Sequence, residues 1–174
     1  MLVAINSGAN MNFDRLRYVS ERAQIGEKRE AVIAVTIPEE PGSFKKLRKL
    51  IGLDRNVTEF NYRYSDKQNA HVYCAFEISS LEEVDKLVET LKESGYPTLD
   101  LTQNEVAKLH IRHLMGGHHP DNGKIEKILR FQFPEMPGAS INFLEILSGN
   151  GDFNISLFHY RNHGSDMGRV LIGF

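Results

Sequence analysis

Pro38-Glu39-Glu40-Pro41-Gly42-Ser43 follows an apolar run at residues 31–37, and Pro134-Glu135-Met136-Pro137-Gly138-Ala139 repeats the pattern 96 positions later. Each copy is preceded by an extended apolar run and followed by a helical pattern, so each reads as strand, turn and helix start. Further on, Asn56-Val57-Thr58-Glu59-Phe60-Asn61-Tyr62-Arg63 recurs as Asn154-Ile155-Ser156-Leu157-Phe158-His159-Tyr160-Arg161, now 98 positions apart. Two residues inserted near Gly149 and Gly151 account for the change in offset. Two blocks in the same order at nearly the same spacing mean an internal duplication.

Working outward in the first copy, Phe44, Leu47, Leu50 and Ile51 form one apolar helical stripe. Residues 56–64 and 70–78 read as strands joined by the polar turn Ser65-Asp66-Lys67-Gln68-Asn69, a hairpin. Ser80 and Glu83 form a capping box for a second helix striped by Leu81, Val84, Leu87, Val88 and Leu91, with Gly95 as its stop. Residues 96–101 make a closing strand. The order βαββαβ predicts an α+β fold, a ferredoxin-like four-stranded sheet with two helices on one face.

Thr102 with Glu105 is expected to cap a further helix through Val106, Leu109 and Leu114, and residues 117–124 form the linker between copies. The second copy has a strand at 128–133, a helix from Pro137 to about Leu147, and a hairpin of 154–162 with 168–174. Phe174 falls where Phe76 falls in the first copy, so the second module is expected to stop after its third strand. That leaves apolar surface and a sheet edge without the cover that the first module has.

The chain has 174 residues, of which 41% are hydrophobic and 25% charged, a composition that supports a packed core and argues against disorder. Its 21 basic and 23 acidic residues are scattered, so neither nucleic-acid binding nor an acidic tail is indicated. The densest basic run, Lys45, Lys46, Arg48 and Lys49, interleaves with apolar positions and reads as the solvated face of a helix. The single cysteine, Cys74, excludes an internal disulfide and reads as a buried, inert thiol. No apolar run reaches membrane-spanning or signal-sequence length, which points to the cytoplasm, or to a plastid stroma in a plant.

Each Pro-Gly turn sets free backbone N–H groups at a helix N-terminus, where a carboxylate can be received and glycine permits close approach. Such a turn suits an amino-acid ligand. By strand alternation Phe60 and Tyr62 share a face, as do Phe158 and Tyr160; each tyrosine offers a hydroxyl to a ligand's polar end, or simply packs the hairpin. Arg63 and Arg161 either meet a carboxylate or form surface ion pairs. His110, His113, His118 and His119 have no partners at metal-ligand spacing, and His159 and His163 have no companion serine or acid, so neither a metal site nor hydrolase chemistry is supported.

The duplicated motifs above, together with Ala107-Lys108-Leu109-His110 and Gly116-Gly117, resemble the C-terminal regulatory region of biosynthetic threonine dehydratase, also called threonine ammonia-lyase or threonine deaminase, over essentially the whole chain. Val3-Ala4-Ile5-Asn6-Ser7-Gly8-Ala9-Asn10, followed by Arg17-Tyr18-Val19-Ser20-Glu21-Arg22, resembles the last strand of that enzyme's catalytic domain and the linker leaving it. The resemblance implies two tandem ACT-like modules. Residues 1–27 would be the catalytic end and linker, 28–102 the first module, 103–124 a helix and linker, and 125–174 an incomplete second module.

What the resemblance implies about function is allosteric control of threonine conversion to 2-oxobutanoate and ammonia in isoleucine biosynthesis, with isoleucine as inhibitor and valine as antagonist. Effector binding is expected at Tyr62 and Tyr160, then at the turns Pro41-Gly42 and Pro137-Gly138, and at Ser140, Leu144 and Leu147. Ser7 matches the serine that faces the pyridine nitrogen of pyridoxal phosphate. The family's Schiff-base lysine motif and a phosphate-binding glycine loop are absent, so no cofactor and no catalysis are expected of this chain alone, and Ser7 is a remnant. The parent would be a pyridoxal-phosphate lyase, tetrameric in the family, with its catalytic domain as this region's partner. The rival reading is a stand-alone amino-acid-sensing or interaction protein built of ACT-like modules.

Overall fold

The computed structural model describes residues 3–4, 12–27, 29–110, 116–121, 123, 125–134, 136, 138–149, 154–162 and 166–174. Helix α1 (Phe13–Glu27) leads into the first repeat: β1 (Glu30–Pro38), α2 (Ser43–Ile51), β2 (Val57–Arg63), β3 (Asn69–Glu77), α3 (Leu81–Glu93) and β4 (Thr98–Asp100). After α4 (Glu105–Leu109), the second repeat supplies β5 (Ile128–Pro134), α5 (Ala139–Gly149), β6 (Leu157–Arg161) and β7 (Met167–Gly173).

Local chemistry explains most boundaries. Gly42, at φ +87°, turns the chain into α2 without a side-chain cap. At the end of α3, Gly95 at φ +84° sends its N–H to the Lys92 carbonyl while Tyr96 N–H reaches that of Leu91, the paired bonds of a Schellman stop. The closing strand β4 is shorter than the expected 96–101. Pro97 has no N–H for the ladder, and its carbonyl accepts from Thr36 N at 2.8 Å.

Two expected caps differ. Ser80 precedes α3 but makes no side-chain cap, and Glu83 instead accepts from the Ser79 N–H at 3.0 Å. The helix after β4 is capped by Asn104, which accepts from Ala107 N at 3.0 Å, because the Thr102 hydroxyl is occupied at the backbone of Val32. This helix is described only to Leu109, and Leu114 lies outside the described residues.

All strands lie in one antiparallel sheet of order β4-β1-β3-β2-β6-β7-β5. The first four have the ferredoxin-like order of the first module. The last three repeat β2-β3-β1 of that module, so the modules meet at β2 and β6 rather than standing as separate sheets.

The junction is self-complementary. Phe60 faces Tyr160 and Tyr62 faces Phe158, so each aromatic meets the partner of its own repeat equivalent. Beyond the ladder, Tyr64 N–H bonds the Ser156 carbonyl at 2.7 Å and Asn162 N–H bonds that of Thr58 at 2.8 Å. These are the same contact made twice about a local two-fold axis that passes between Asn61 and His159.

One face of the sheet carries the main core under α2, α3 and α5, where Phe44, Leu47, Ile51, Val84, Leu87, Leu91 and Leu144 pack. The opposite face of the first module has a smaller cluster of Val32, Tyr73, Ala75, Leu101 and Ala107 beneath α4. The two repeat-equivalent strands differ in cover. Ala31, Val32 and Ile33 of β1 are fully buried between β3 and β4, whereas edge strand β5 leaves Ile128 50% and Leu129 47% exposed.

Candidate functional site

The alternation of β2 turns Phe60 and Tyr62 onto the helix-covered face, and both are buried. Tyr62 stands edge-on to Phe44 of α2, with ring centroids 4.9 Å apart, and Phe60 meets Phe158 edge-on at 5.2 Å. The Tyr62 hydroxyl donates to Glu39 Oε2, just past β1. Asn154 of the second repeat donates from Nδ2 to Glu39 Oε1 at 2.8 Å. One carboxylate therefore ties the turn of one module to the strand entry of the other.

Burial raises the Glu39 carboxyl above the ordinary carboxylate range, and the bonds from Tyr62 and Asn154 oppose that shift without cancelling it. Burial, and then the bond to Glu39, likewise pushes the Tyr62 phenol above its usual value.

Beside Glu39 opens a cleft of ≈ 420 Å³, within the range of small-molecule sites. Its polar lining is Glu39, Lys67, Asp121, Asn154 and Ser156, and its apolar lining is Tyr64, Pro120 and Phe174. Sequence reading singled out none of these. The available signal was that Glu39 and Asn154 each have an identical counterpart in the other repeat, Glu135 and Asn56.

The sequence-derived candidates fall into separate places. Tyr160, Ser140 and Leu144 come together around a closed apolar gap of ≈ 10 Å³ between α5 and the sheet, with no room for a ligand as it stands. Leu147 is partly buried against the main core. Pro41 is exposed at the start of α2, and Gly42 and Gly138 both adopt left-handed backbone, at φ +87° and +84°. Pro137 lies outside the described residues.

Arg48 corrects the expectation of a solvated basic face, since it is 2% exposed and borders the same gap. Its guanidinium bonds the carbonyls of Gly52, Leu53 and Arg55, closing the C-terminal end of α2, and its Nε reaches Ser140 Oγ at 3.3 Å. Helix-end carbonyls attract a cation, and the long side chain buries its stem on the way.

Arg63 pairs with Glu126 through both guanidinium nitrogens, the second bond being 3.2 Å, and Ser156 Oγ donates to the same carboxylate at 2.5 Å. The Arg63 bonds hold the Glu126 carboxyl below its usual range. In the repeat-equivalent position, Thr58 Oγ1 donates to Glu30 at 2.6 Å. Thr58–Glu30 and Ser156–Glu126 are therefore the same contact within each module, and Arg63–Glu126 adds a bond between the modules.

A model of the C-terminal regulatory domain of threonine dehydratase matches residues 21–111 and 120–174. The chain belongs to this family. The biosynthetic L-threonine dehydratase of Burkholderia multivorans is 52% identical over 172 residues, covering 99% of this chain and 33% of its own. Its counterpart in Escherichia coli is 51% identical over 174 residues with the same coverage. The chloroplastic biosynthetic threonine dehydratase 1 of Solanum lycopersicum is 49% identical over 173 residues, covering 99% of this chain and 28% of its own. This regulatory domain thus spans about a third of the length of the curated relatives it matches.

Lys108, at 5% exposure, donates from Nζ to the Glu30 carbonyl. Ser7 lies outside the described residues. Burial pushes the Cys74 thiol up to about 12, as suits an inert core residue. Among the described residues no three His, Cys, Asp or Glu side chains gather as a metal site, and no helix is long and apolar enough to cross a membrane.

Proposed function

We propose that this domain senses branched-chain amino acids, with isoleucine as inhibitor and valine as its antagonist, and so controls the conversion of threonine to 2-oxobutanoate and ammonia by an attached pyridoxal-phosphate catalytic domain. The observation that carries the reading is the junction at Tyr62, Glu39 and Asn154, where a single small ligand would touch both modules. A ligand that prefers one relative setting of β2 and β6 shifts the equilibrium between settings by its difference in affinity. Helix α1, which contains the segment that resembles the catalytic linker, carries that shift, and its Arg22 pairs with Glu105 of α4.

The relatives' threefold greater length favours an attached enzyme over a stand-alone sensor. In the family's tetramer the catalytic domain is the partner, and the cytoplasm or a plastid stroma is the compartment. Titration calorimetry of the chain with isoleucine, then valine, with threonine as control, tests the reading. Saturable isoleucine binding, displaced by valine and weakened by Tyr62→Ala or Tyr160→Ala, is expected; a folded chain that binds neither amino acid contradicts it.

A further inference from the structure

The cleft beside Glu39 has an unusual wall. Residues 116–121, from the segment linking the two modules, lie along the end of β2, and Pro120 and Asp121 face the cleft. The segment is held there closely. His118 N–H bonds the Tyr64 carbonyl at 2.8 Å, its ring stands edge-on to the Tyr64 ring, and His119 Nε2 accepts from the Glu126 N–H at 3.1 Å.

Gly117 permits this approach. A Cβ there would lie 2.4 Å from the Tyr64 carbonyl oxygen and 2.5 Å from Arg63 Cγ, distances that no side chain tolerates. Any larger residue must lift the segment from β2 and open the cleft.

Glu39 on the facing wall is a half-buried carboxylate whose hydrogen bonds come from neutral donors, Tyr62 and Asn154. Among the described residues no lysine, arginine or histidine forms an ion pair with it. Two donors fix its orientation and leave lone pairs unused. A partly desolvated anion of this kind is completed by a cation, and Lys67 lines the same cleft at a distance greater than an ion pair.

We infer that this cleft is the amino-acid site itself: it takes a zwitterionic aliphatic α-amino acid with the ammonium on Glu39 and the carboxylate toward Lys67, and the inter-module segment seated by Gly117 is its closing wall. The aliphatic side chain rests among Tyr64, Pro120 and Phe174. This inference rests on the amino-acid-sensing reading above and names its site.

The test titrates the full chain with L-isoleucine and with 3-methylpentanoate, the same molecule lacking the amine. The wild type should bind isoleucine about 10- to 100-fold more tightly, the range of a charge-assisted hydrogen bond. Glu39→Gln should abolish that preference while leaving affinity for 3-methylpentanoate unchanged. Gly117→Val should weaken both ligands alike, and Lys67→Ala, at an exposed position, serves the same purpose for the carboxylate if Gly117→Val lowers the melting temperature.

Isoleucine bound as in wild type by Glu39→Gln overturns the inference and leaves amino-acid sensing intact, as does equal weakening of both ligands in that variant. A folded wild type that binds no isoleucine overturns both.

Discussion

Asn154, at the entry to the second repeat's hairpin, donates a 2.8 Å hydrogen bond to Glu39, at the exit from the first repeat's opening strand. The two residues are 115 positions apart, so this contact exists only when the modules share one sheet. Asn154→Ala removes one of the two side-chain donors to Glu39, leaving Tyr62, and should cost about 1 kcal/mol of stability, checked by urea unfolding. Isoleucine affinity should fall with it, since the carboxylate loses its fixed orientation.

Arg48 ties the end of α2 to the start of α5 through Ser140. Arg48→Met keeps the stem and removes the donors to the carbonyls of Gly52, Leu53 and Arg55. A loss of about 2–3 kcal/mol is expected, read as a lower melting temperature. Ser140→Ala, which removes only the far partner, should cost well under half as much.

Ser43 stands buried at the first position of α2, and among the described residues its hydroxyl has no hydrogen-bond partner. The second repeat has Ala139 at the matching position. Ser43→Ala should therefore be neutral or stabilising by up to about 1 kcal/mol, since an orphan hydroxyl is removed without a cavity of consequence. A clear loss of stability in urea titration would mean that the hydroxyl has a role that its surroundings do not account for.

Glu126 provides a pH dependence of known sign. Its folded carboxyl is held below the ordinary value by Arg63, so the stabilisation is fully present above the unfolded value of about 4.3 and is lost as pH falls through the folded value. Glu126→Gln should flatten the acid limb of the stability curve below the ordinary carboxylate value while changing its slope little near neutrality. Melting temperatures across that range check it.

Much of this architecture is legible in the sequence, because duplication marks the modules and apolar periodicity marks their strands and helices. The Pro-Gly turns, the hairpins and the Schellman stop at Gly95 sit where local chemistry places them. The joining of the two sheets is not legible. In β2 the alternation of Phe60 and Tyr62 with polar residues reads as a strand wet on one face, yet Glu59 and Asn61 are each 2% exposed, with Asn61 donating to Glu59 at 2.7 Å. A polar pair buried by the assembled sheet leaves no trace in a hydropathy pattern.

Arg48 escaped for a related reason, since a guanidinium is placed by carbonyls that only the folded turn after α2 brings together. The tyrosines drew notice as aromatic repeats, while Glu39, which bonds Tyr62, is one acid among 23 acidic residues. What distinguishes it is its position at the module junction, a property of the assembled sheet.

The central claim is that a ligand acts where β2 meets β6. Hydrogen–deuterium exchange of the full chain, with and without saturating isoleucine, tests it most directly. The account predicts slower exchange on binding for the amides of Tyr64, His118 and Asn162 and along β2 and β6, with little change in α3. Saturable binding that leaves those amides unchanged and protects another part of the chain would contradict it.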